Sequence, residues 1–416
     1  MKNFMHSIGK NAIIASNKKI DSKLKNKVLF QYIKLIKKNK KIIIKQNNKD
    51  IKLAKQKKLR NNLIDRLTID QKKLIDICKA IKNVIRLKDP IDITLAKWKR
   101  PNNLLIKRVS IPLGVIGVIF ESRPNVASDI SSLCFKSGNA VILKGGKEAL
   151  NSNKILVSLF RKSLLLNKID PNYVQFIEKR ERNYVDFMLS KMSKYIDVII
   201  PRGGKGLVKK VQKLSKIPTI GHLEGICHTY VDKDADLKMA IKIVHNAKLR
   251  NTSICGATET ILLHKNIVKR FCNPILNKLA INNCKIIGDK YLKKYYKGKL
   301  FLSKENDWST EYLSAIVSVK CVKSLEDAIR HINKYGTMHT DSIITKNTKR
   351  AKKFLKNIKS SIAIHNSSTQ FADGGEFGFG GEVGISTNKI PPRGPVGLEQ
   401  LVSYKYEIIG QGQIRK

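Results

Sequence analysis

The most informative absences in this 416-residue sequence are long apolar runs and paired cysteines. No apolar run approaches the roughly 20 residues that a transmembrane helix needs, so we expect no membrane partner. The seven cysteines are an odd number without C-x-x-C or Cys/His ligand spacing, which argues against a disulfide framework and against a metal site. The first residues also lack the continuous apolar stretch of a secretory signal. We therefore expect a cytoplasmic protein in a reducing compartment.

Acidic residues are scarce, since Asp and Glu total 32 against 82 Lys and Arg, for a formal net charge of +50. Such an excess can indicate a nucleic-acid partner. The lysines are spread along the whole chain, however, and aromatic side chains make up only 6% of the residues. We therefore predict no nucleic-acid partner and expect the basic surface to attract anionic small molecules.

The pattern of apolar residues predicts an α/β protein with a helical beginning. Residues 21–88 have helical spacing with Asp70 as a candidate N-cap, and residues 98–109 predict two short extended pieces around a turn. From residue 115 to 200, and again from 229 to 364, strand-like and helix-like segments alternate. That order predicts two lobes built on mainly parallel sheets. Ligands in such folds bind beyond the carboxyl ends of the strands, so the loops there are searched first.

Three loops that follow predicted strands have an unusual composition. Residues 121–125 are ESRPN, residues 144–147 are KGGK, and residues 201–206 are PRGGKG. The last loop places glycines before a helix amino terminus, where free N–H groups and the helix dipole favour a phosphate. A structural turn explains the same glycines without a ligand. The absence of a G-x-G-x-x-G motif argues against an ordinary Rossmann dinucleotide site.

One cysteine lies in a turn of small residues between a predicted helix and a predicted strand. Cys255 has Thr252, Ser253 and Gly256 beside it. This setting leaves room for a substrate carbonyl and a backbone N–H near the sulfur, as a nucleophile requires. A packing role is the alternative, although a packing cysteine more often has apolar neighbours.

Taken together, six segments resemble the gamma-glutamyl phosphate reductases, a family within the aldehyde dehydrogenase superfamily. They follow one another in order along the chain: VSIPLGVIGVIFESRPNV at 109–126, GNAVILKGGKE at 138–148, DVIIPRGG at 197–204, CHTYVD at 227–232, NAKLRNTSICGATETILL at 246–263 and RGPVGLEQLVSYKY at 393–406. The resemblance implies an aldehyde dehydrogenase-like α/β fold, with two Rossmann-like parallel-sheet lobes and a β-arm for oligomerisation. It implies a cofactor-binding domain at 1–228 that includes the oligomerisation arm at 97–110. The rest of this division is a catalytic domain at 229–393 and a C-terminal strand at 394–416. This strand is expected to return to the arm or the cofactor lobe.

The activity that the resemblance implies is the NADPH-dependent reduction of L-glutamyl 5-phosphate to L-glutamate 5-semialdehyde and phosphate, the second step of proline biosynthesis from glutamate. Cys255 is then the nucleophile that forms a thioester. Asn125 holds the oxyanion together with the Cys255 N–H. A homo-oligomer and a glutamate 5-kinase partner are also expected from this resemblance.

The resemblance also suggests which residues bind the NADP cofactor and the substrate. Lys144 matches a lysine that meets the adenosine ribose, Gly203 and Gly204 begin the helix beside the pyrophosphate, and Glu311 matches a glutamate that holds the nicotinamide ribose. Lys147 is the candidate for the 2′-phosphate, with a solvated surface lysine as the alternative. Arg123 and His339 are candidate substrate contacts, with a structural loop histidine as the alternative for His339. Residues 367–375 are a further candidate for recognition of the amino-acid end.

Two features depart from a simple transfer of family roles. Glu224 matches only loosely the base that activates water in hydrolytic relatives, and a reductase that releases phosphate needs no such water. Pro391 and Pro392 stand where the family usually has histidine and alanine, so a contact of that histidine is absent here. Two rival functions remain open at this point: an NAD-dependent oxidation of an aldehyde to an acid, and a basic binding protein that kept the fold without the chemistry.

Overall fold

The computed structural model describes residues 1–59 and 61–415, so Arg60, within the region predicted to be helical, lies outside the described residues. The chain divides into two compact units. The first unit comprises Met1–Gly221, Gly378–Gly384 and Val396–Lys416, and the second comprises His222–Phe377 and Ile385–Pro395. In the described part of the chain, every helix is too short or too polar to cross a bilayer.

Five helices open the first unit, and the last four lie within residues 21–88, where the apolar spacing predicts helix. They are α1 (Lys2–Ser16), α2 (Ser22–Lys38), α3 (Lys40–Gln56), α4 (Asn61–Leu67) and α5 (Gln71–Arg86). Asp70 caps α5, because its carboxylate accepts a hydrogen bond from the Lys73 N–H at 2.6 Å. The apolar faces of α1, α2, α3 and α5 pack into one core with the sheet that follows, whereas Leu67 of α4 packs with Ala54 and Ala149 in a separate small cluster.

The first parallel sheet has four strands in the order β5-β4-β3-β6. Its elements are β3 (Val115–Phe120), α6 (Asn125–Lys136), β4 (Ala140–Gly145), α7 (Leu150–Leu166), β5 (Val174–Phe176), α8 (Asn183–Lys191), β6 (Val198–Arg202) and α9 (Lys205–Leu214). All six residues of β3 are buried, which is why its sequence is a continuous apolar run. Phe120 pairs with Gly145 and with Arg202, so the carboxyl ends of β3, β4 and β6 meet at one edge.

A separate antiparallel sheet belongs to the same unit. It consists of β1 (Thr94–Lys99), β2 (Leu105–Pro112) and β16 (Val402–Ile409), in the order β1-β2-β16. β16 pairs with β2 along its whole length, from Val402 opposite Pro112 to Ile409 opposite Leu105. Residues 98–109 were predicted to be two extended pieces around a turn, and they form most of the β1–β2 hairpin. The second strand of this hairpin, β2, also pairs with the C-terminal strand β16.

The second unit is built on a seven-stranded parallel sheet in the order β10-β9-β11-β8-β7-β12-β13. Its elements are β7 (Cys227–Val231), α10 (Leu237–Leu249), β8 (Thr258–His264), α11 (Val268–Ala280), β9 (Lys285–Gly288), β10 (Phe301–Leu302), β11 (Ile316–Val322), α12 (Leu325–Tyr335), β12 (Thr340–Ile344), α13 (Thr348–Asn357) and β13 (Ile362–His365). A two-stranded antiparallel pair of β14 (Ile385–Ser386) and β15 (Gly394–Pro395) is also part of this unit.

Helices cover both faces of this sheet. Tyr230 and Leu262 belong to the core formed with α12 and α13, whereas the next residues, Val231 and Leu263, belong to the core formed with α10 and α11. Successive residues of a strand point to opposite faces, so one apolar run supplies both cores. The two predicted parallel-sheet lobes are therefore confirmed.

The apolar pattern predicted most elements but not all of them. Helix α11, strand β9 and helix α13 were not among the predicted segments. Pro274 lies inside α11, where proline removes a backbone donor and weakens the helical signal. Helix α13 has a sparsely apolar sequence in which only Ala351 and Phe354 are buried, so tertiary packing of a few residues stabilises it.

Candidate active site

The predicted functional residues fall into two groups. One group lies at the carboxyl edge of the parallel sheet in the first unit, and the other lies at the amino edge of the parallel sheet in the second unit. In the first unit, Asn125, Lys144 and Gly203 lie at or just after the carboxyl ends of β3, β4 and β6. In the second unit, Cys255 and His339 precede β8 and β12, so they lie at the amino edge of the sheet. In the second unit, the connections from helix to strand therefore carry the candidates, at the edge opposite to the one that is searched first.

Cys255 lies in the cysteine turn, which we define as residues 251–257, between α10 and β8. Its side chain is partly buried, and the Ala257 N–H closes the turn on the Ile254 carbonyl at 3.0 Å. The loop before β7 lies directly against this turn, because a Cβ atom at Gly225 would lie only 2.2 Å from the Cys255 carbonyl oxygen. Glycine is therefore the residue that permits this approach.

A buried thiol supports the cysteine turn from the start of β7. Cys227 donates a hydrogen bond from its Sγ to the Cys255 carbonyl at 3.0 Å. Burial raises the pKa of the Cys227 thiol well above its usual value, and the nearby Asp341 carboxylate adds to this shift. Cys227 thus stays a neutral donor that orients the turn, whereas Cys255 is the more accessible thiol.

Two histidines lie beside Cys255. The rings of His222 and His339 meet edge to face with centroids 4.8 Å apart. His222 Nδ1 lies 2.7 Å from the Ile385 carbonyl oxygen, and His339 Nδ1 lies 2.9 Å from the Thr340 hydroxyl. His339 is fully buried, with one ring nitrogen within 4.8 Å of the Cys255 Sγ.

Glu311 lies just before β11, and a buried ion pair supports the segment that contains it. The Gly225 N–H donates to Glu311 Oε1 at 2.8 Å, which links this carboxylate to the loop packed on Cys255. Lys248 and Glu259 form an ion pair that is almost fully buried, and Glu259 also accepts the Leu313 N–H at 3.1 Å. Breaking a buried ion pair of this kind commonly costs about 3–5 kcal/mol, so Glu259 is held in place. Its hydrogen bond from the Leu313 N–H in turn holds the 311–313 segment.

In the first unit, Asn125 begins α6 and an acidic residue one turn later orients its amide. Asn125 Nδ2 donates to Asp129 Oδ2 at 2.8 Å. Burial raises the pKa of the Asp129 carboxyl from 3.8 to about 6, against the opposing effect of this hydrogen bond. The Nδ2 group has two hydrogens, so the second one is available to a ligand while Asp129 fixes the orientation of the amide.

The glycine turn, defined as residues 201–206, contains the start of α9. The Gly204 N–H donates to Glu121 Oε2 at 3.0 Å, and a Cβ at Gly203 would lie 2.4 Å from the same oxygen. A carboxylate therefore already lies at this helix amino terminus, where the dipole favours negative charge. Glu121 is exposed, so its side chain can rotate away when a larger anion arrives.

The remaining predicted residues of the first unit surround the end of β4. Lys144 is buried and donates to the Gly145 carbonyl at 3.1 Å, and burial lowers the pKa of its ammonium group. Lys147 is exposed at the start of the following turn. Arg123 is half-buried in the loop that leads to α6.

The glutamate next to Lys147 shapes the 121–125 loop. Glu148 accepts hydrogen bonds from the Ser122 N–H at 2.7 Å and from the Ser122 hydroxyl at 2.9 Å. Ser122 has a φ of 44°, a left-handed conformation that a serine adopts only when such contacts hold it. The loop that presents Arg123 and Asn125 is therefore tied to the loop that carries Lys147.

Comparison with known proteins gives one consistent result over nearly the whole chain. Residues 11–290 and 302–405 match the aldehyde dehydrogenase family. The gamma-glutamyl phosphate reductase of Ruthia magnifica is 42% identical over 100% of this chain and 99% of its own, and that of Bartonella tribocorum is 45% identical over 90% and 91%. The crystal structure of the gamma-glutamyl phosphate reductase from Thermotoga maritima superposes with a TM-score of 0.96 at 38% identity, and 99% of each chain is covered.

The chain belongs to the gamma-glutamyl phosphate reductases.

Membership of this family confirms the predicted fold and the predicted enzyme class, an oxidoreductase that acts on an aldehyde or acyl phosphate. Neither rival function accounts for a match of this extent. The match to the aldehyde dehydrogenase family also implies a nicotinamide cofactor.

Sequence reasoning missed three residues that shape the site. Asp129 was not singled out, although its spacing of four residues from Asn125 on a predicted helix places the two side chains on one face. Glu121 was noted only as part of a loop. His222 was not connected with Cys255, because the two residues are 33 positions apart and come together only through the pairing of β7 with β8.

The turn with the unusual prolines lies in the second unit. The Pro391–Pro392 peptide bond is cis, and the Arg393 guanidinium donates a hydrogen bond to the Lys359 carbonyl. This contact links the turn to the chain just before β13, and Gly394 then enters β15 with a φ of 83°.

Proposed function

We propose that this chain reduces L-glutamyl 5-phosphate to L-glutamate 5-semialdehyde and phosphate with NADPH, as the second step of proline biosynthesis from glutamate. Similarity to gamma-glutamyl phosphate reductases over the full length supports the substrate. The single structural observation behind the mechanism is a partly buried thiol, Cys255, held in a tight turn by packing against Gly225 and by a hydrogen bond from Cys227.

The proposed reaction begins with attack of the Cys255 thiolate on the acyl carbon. The carbon–sulfur bond forms, the bond from carbon to the phosphate oxygen breaks, and inorganic phosphate leaves with the electron pair. The resulting thioester is a good hydride acceptor, because sulfur donates electrons only weakly into the carbonyl. After hydride addition, the tetrahedral oxyanion collapses, which releases the aldehyde and regenerates the thiolate.

Oxyanion stabilisation is proposed for Asn125 and for the Cys255 N–H. Asp129 accepts one Nδ2 hydrogen of Asn125 and fixes the amide, and the second Nδ2 hydrogen is the proposed donor to the oxyanion. Donors that are fixed before the reaction lower the barrier more than donors that must reorient. Asp129 therefore acts as a positioning residue, and Asn125 as the catalytic one.

A nicotinamide cofactor supplies the hydride for this reaction when it is bound. The first unit fits its phosphates, because the Gly204 N–H already binds a carboxylate at the amino terminus of α9. We propose that Gly203 and Gly204 contact the pyrophosphate, that Lys144 contacts the adenosine ribose and that Glu311 contacts the nicotinamide ribose.

Lys147 is proposed to select NADP over NAD. Its side chain is exposed one residue beyond the loop that follows β4. A flexible ammonium group in this position can pair with a 2′-phosphate without losing a buried partner. Lys147→Ala is expected to weaken NADPH binding while leaving NADH binding unchanged.

Substrate contacts are proposed for Arg123 and His339. Arg123 offers a guanidinium from the loop before α6, which suits a phosphate or carboxylate. His339 faces Cys255 from a buried position. Glu224 has no role in this scheme, since the thioester is consumed by hydride and not by water.

A homo-oligomer is proposed through the three-stranded sheet. Tyr406 and Ile408 of β16 are 55% and 63% exposed, respectively. Apolar exposure of this size on a strand is typical of an interface. Coupling to a glutamate 5-kinase is a further proposal, which follows from the instability of an acyl phosphate in water.

The decisive assay runs the reaction in reverse. NADP reduction is measured with glutamate 5-semialdehyde, with and without inorganic phosphate, in a phosphate-free buffer. Reduction only in the presence of phosphate is the expected result, because phosphate must release the acyl group from Cys255. Equal reduction without phosphate would contradict the proposal and would restore Glu224 as the base of a hydrolytic dehydrogenase.

A further inference from the structure

Three side chains at the amino edge of the second sheet form a group that the proposed reaction does not fully use. This His-Cys-His cluster consists of His222, Cys255 and His339, whose potential ligand atoms all lie within 4.8 Å of one another. The three residues precede β7, β8 and β12, respectively, which are neighbours in the parallel sheet. The sheet therefore fixes their approach, although they are far apart in the sequence.

His339 is oriented as a metal-binding histidine is. The Thr340 hydroxyl lies 2.9 Å from its Nδ1, and its ring is fully buried. Its Nε2 is buried and lacks a hydrogen-bond partner among the described residues. A hydroxyl that accepts from Nδ1 leaves Nε2 with a lone pair for a ligand, and such outer contacts orient most metal-binding histidines.

His222 is oriented in the same way. A carbonyl oxygen can only accept, so the 2.7 Å contact between His222 Nδ1 and the Ile385 oxygen places the hydrogen on Nδ1. In the neutral ring of His222 the lone pair is then on Nε2. His222 therefore has the tautomer that binds a metal through Nε2, and the Thr340 hydroxyl is compatible with the same tautomer in His339.

Only one of the two neighbouring cysteines is suited to the third position. Cys227 is buried and already donates its thiol hydrogen to the Cys255 carbonyl. Cys255 is the partly exposed thiol of the two, and its sulfur is the one that lies within reach of both histidines. Two imidazoles and one thiolate with an open fourth position match the ligand set of open zinc sites.

Helix direction at this edge also favours a cation. Helix α10 ends at Leu249 before the cysteine turn, and α12 ends at Tyr335 before His339. The carboxyl end of a helix carries a partial negative charge, which favours positive charge nearby.

We propose that the His-Cys-His cluster is an inhibitory Zn²⁺ site, with Cys255 Sγ and the Nε2 atoms of His222 and His339 as ligands and water in the fourth position. On binding, the Cys255 thiol releases its proton to solvent and a zinc–sulfur bond forms, without oxidation or reduction. Zinc bonds of about 2.0–2.3 Å place tetrahedral ligand atoms about 3.3–3.8 Å apart. The 4.8 Å limit exceeds these spacings by about 1.0–1.5 Å, so the ligand atoms must move together by about that amount when the metal binds.

The consequence is reversible control of the nucleophile, and this step rests on the proposed function of Cys255. A thiolate bound to zinc shares a lone pair with the metal, so it attacks an acyl phosphate or an alkylating reagent more slowly than the free thiolate does. Zinc is therefore expected to inhibit turnover and to protect Cys255 from iodoacetamide over the same concentration range.

The test measures metal binding without turnover, so its failure is distinct from failure of the proposed reaction. Metal-free full-length protein is titrated with Zn²⁺ against a chromogenic chelator, and Co²⁺ is then used to detect a thiolate-to-cobalt absorption band. We expect one Zn²⁺ per chain and a near-ultraviolet cobalt band. Cys255→Ser and His339→Ala should each weaken Zn²⁺ binding by about 100-fold or more, since even loss of an outer contact costs about 10- to 100-fold.

Matched variants separate the cluster from other thiols and imidazoles. Cys321→Ser removes another partly exposed cysteine and His365→Gln another partly buried histidine, both outside the cluster, and neither should change Zn²⁺ affinity. In the unmutated protein, Zn²⁺ should slow alkylation of Cys255, which tests the site even if a variant fails to fold. Unchanged Zn²⁺ binding in Cys255→Ser, or alkylation of Cys255 at the same rate with and without Zn²⁺, would overturn the proposal.

Discussion

In the first unit, the proposed cofactor residues lie at the carboxyl edge of a parallel sheet, whereas in the second unit the proposed nucleophile lies at the amino edge of another. The first edge is where helices begin, including α6 at Asn125 and α9 at Lys205. The second edge is where helices end, including α10 at Leu249 and α12 at Tyr335. The two edges therefore present opposite ends of the helix dipole.

This difference matches two different tasks. Helix amino termini offer N–H groups to phosphates, and the Gly204 N–H already binds the Glu121 carboxylate. The second edge offers no such donors from helix starts, and its precision comes from buried contacts: Gly225 against Cys255, Cys227 to the Cys255 carbonyl, and the Lys248–Glu259 pair. The carboxyl edge of the first sheet, called the open edge below, suits reversible binding of an anion. The amino edge of the second sheet, called the dense edge below, suits placement of a reacting atom.

The largest effect is expected for the nucleophile of the dense edge. Cys255→Ala should lower kcat by about 10⁴-fold or more, since loss of a nucleophile removes the covalent route. NADPH affinity, measured by fluorescence titration, should stay unchanged because the proposed contacts of the cofactor with α9 do not involve this thiol. Turnover close to that of the unmutated enzyme would rule out Cys255 as the nucleophile.

Asn125 tests whether the open edge also takes part in the chemical step. Asn125→Ala should lower kcat by about 10²- to 10³-fold with little change in KM, because the lost hydrogen bond acts mainly in the transition state. Steady-state kinetics at saturating NADPH measure this effect. A change in KM alone would mean that Asn125 only binds substrate.

A pair of glycine substitutions compares directly how tightly atoms pack at the two sheet edges. Gly225→Ala places a Cβ atom 2.2 Å from the Cys255 carbonyl oxygen and 2.7 Å from the Cys255 Cβ. A displacement of the nucleophile by about 1 Å commonly costs about 10²-fold in rate, so kcat should fall by that order. Gly206→Ala is the matched control, because a Cβ at Gly206 meets no described atom within 4 Å. Equal kinetics for the two variants would show that packing at Gly225 does not position Cys255.

The carboxylate at the start of α9 should compete with the cofactor. Glu121→Gln removes its charge and should tighten NADPH binding about two- to fivefold at low salt, which corresponds to about 0.3–1 kcal/mol of dipole interaction. The effect should fade at high salt. Glu178→Gln serves as the control, because Glu178 is paired with Lys154 away from this helix terminus. Weaker binding in Glu121→Gln would instead assign Glu121 a role in holding the cofactor.

The last prediction concerns stability rather than activity, and involves the carboxyl that orients Asn125. Burial raises the pKa of Asp129 to about 6, so the folded state holds its proton more tightly than the unfolded chain, where the carboxyl titrates near 3.9. Stability from this group is therefore present below about pH 4 and is lost as pH rises to about 6. Asp129→Asn lacks this titration, so its unfolding free energy in urea should rise relative to the unmutated protein between pH 4 and 6. A constant difference over that range would show that the Asp129 pKa is not raised.

The elements that were predicted well are those whose buried residues follow one another in the sequence, or whose stabilising contacts join residues that are close in the sequence. Strand β3 is buried at all six positions and could be recognised from its apolar run alone. Asp70 could be recognised as the cap of α5, because an N-cap acts on residues only three positions away. Helix α11, with its internal proline, and the sparsely apolar α13 were not recognised, because their stability depends on packing against the sheet.

The sequence by itself determined the α/β class, the cysteine turn, the glycine turn and the resemblance to the gamma-glutamyl phosphate reductases, since each depends on neighbouring residues or on their order. Only the tertiary structure decided which side chains meet. It brought His222 and His339 to Cys255, and Glu121 to the Gly204 N–H. The physical reason is that strand pairing in a parallel sheet aligns loops that are many residues apart, and no local pattern records which strands become neighbours.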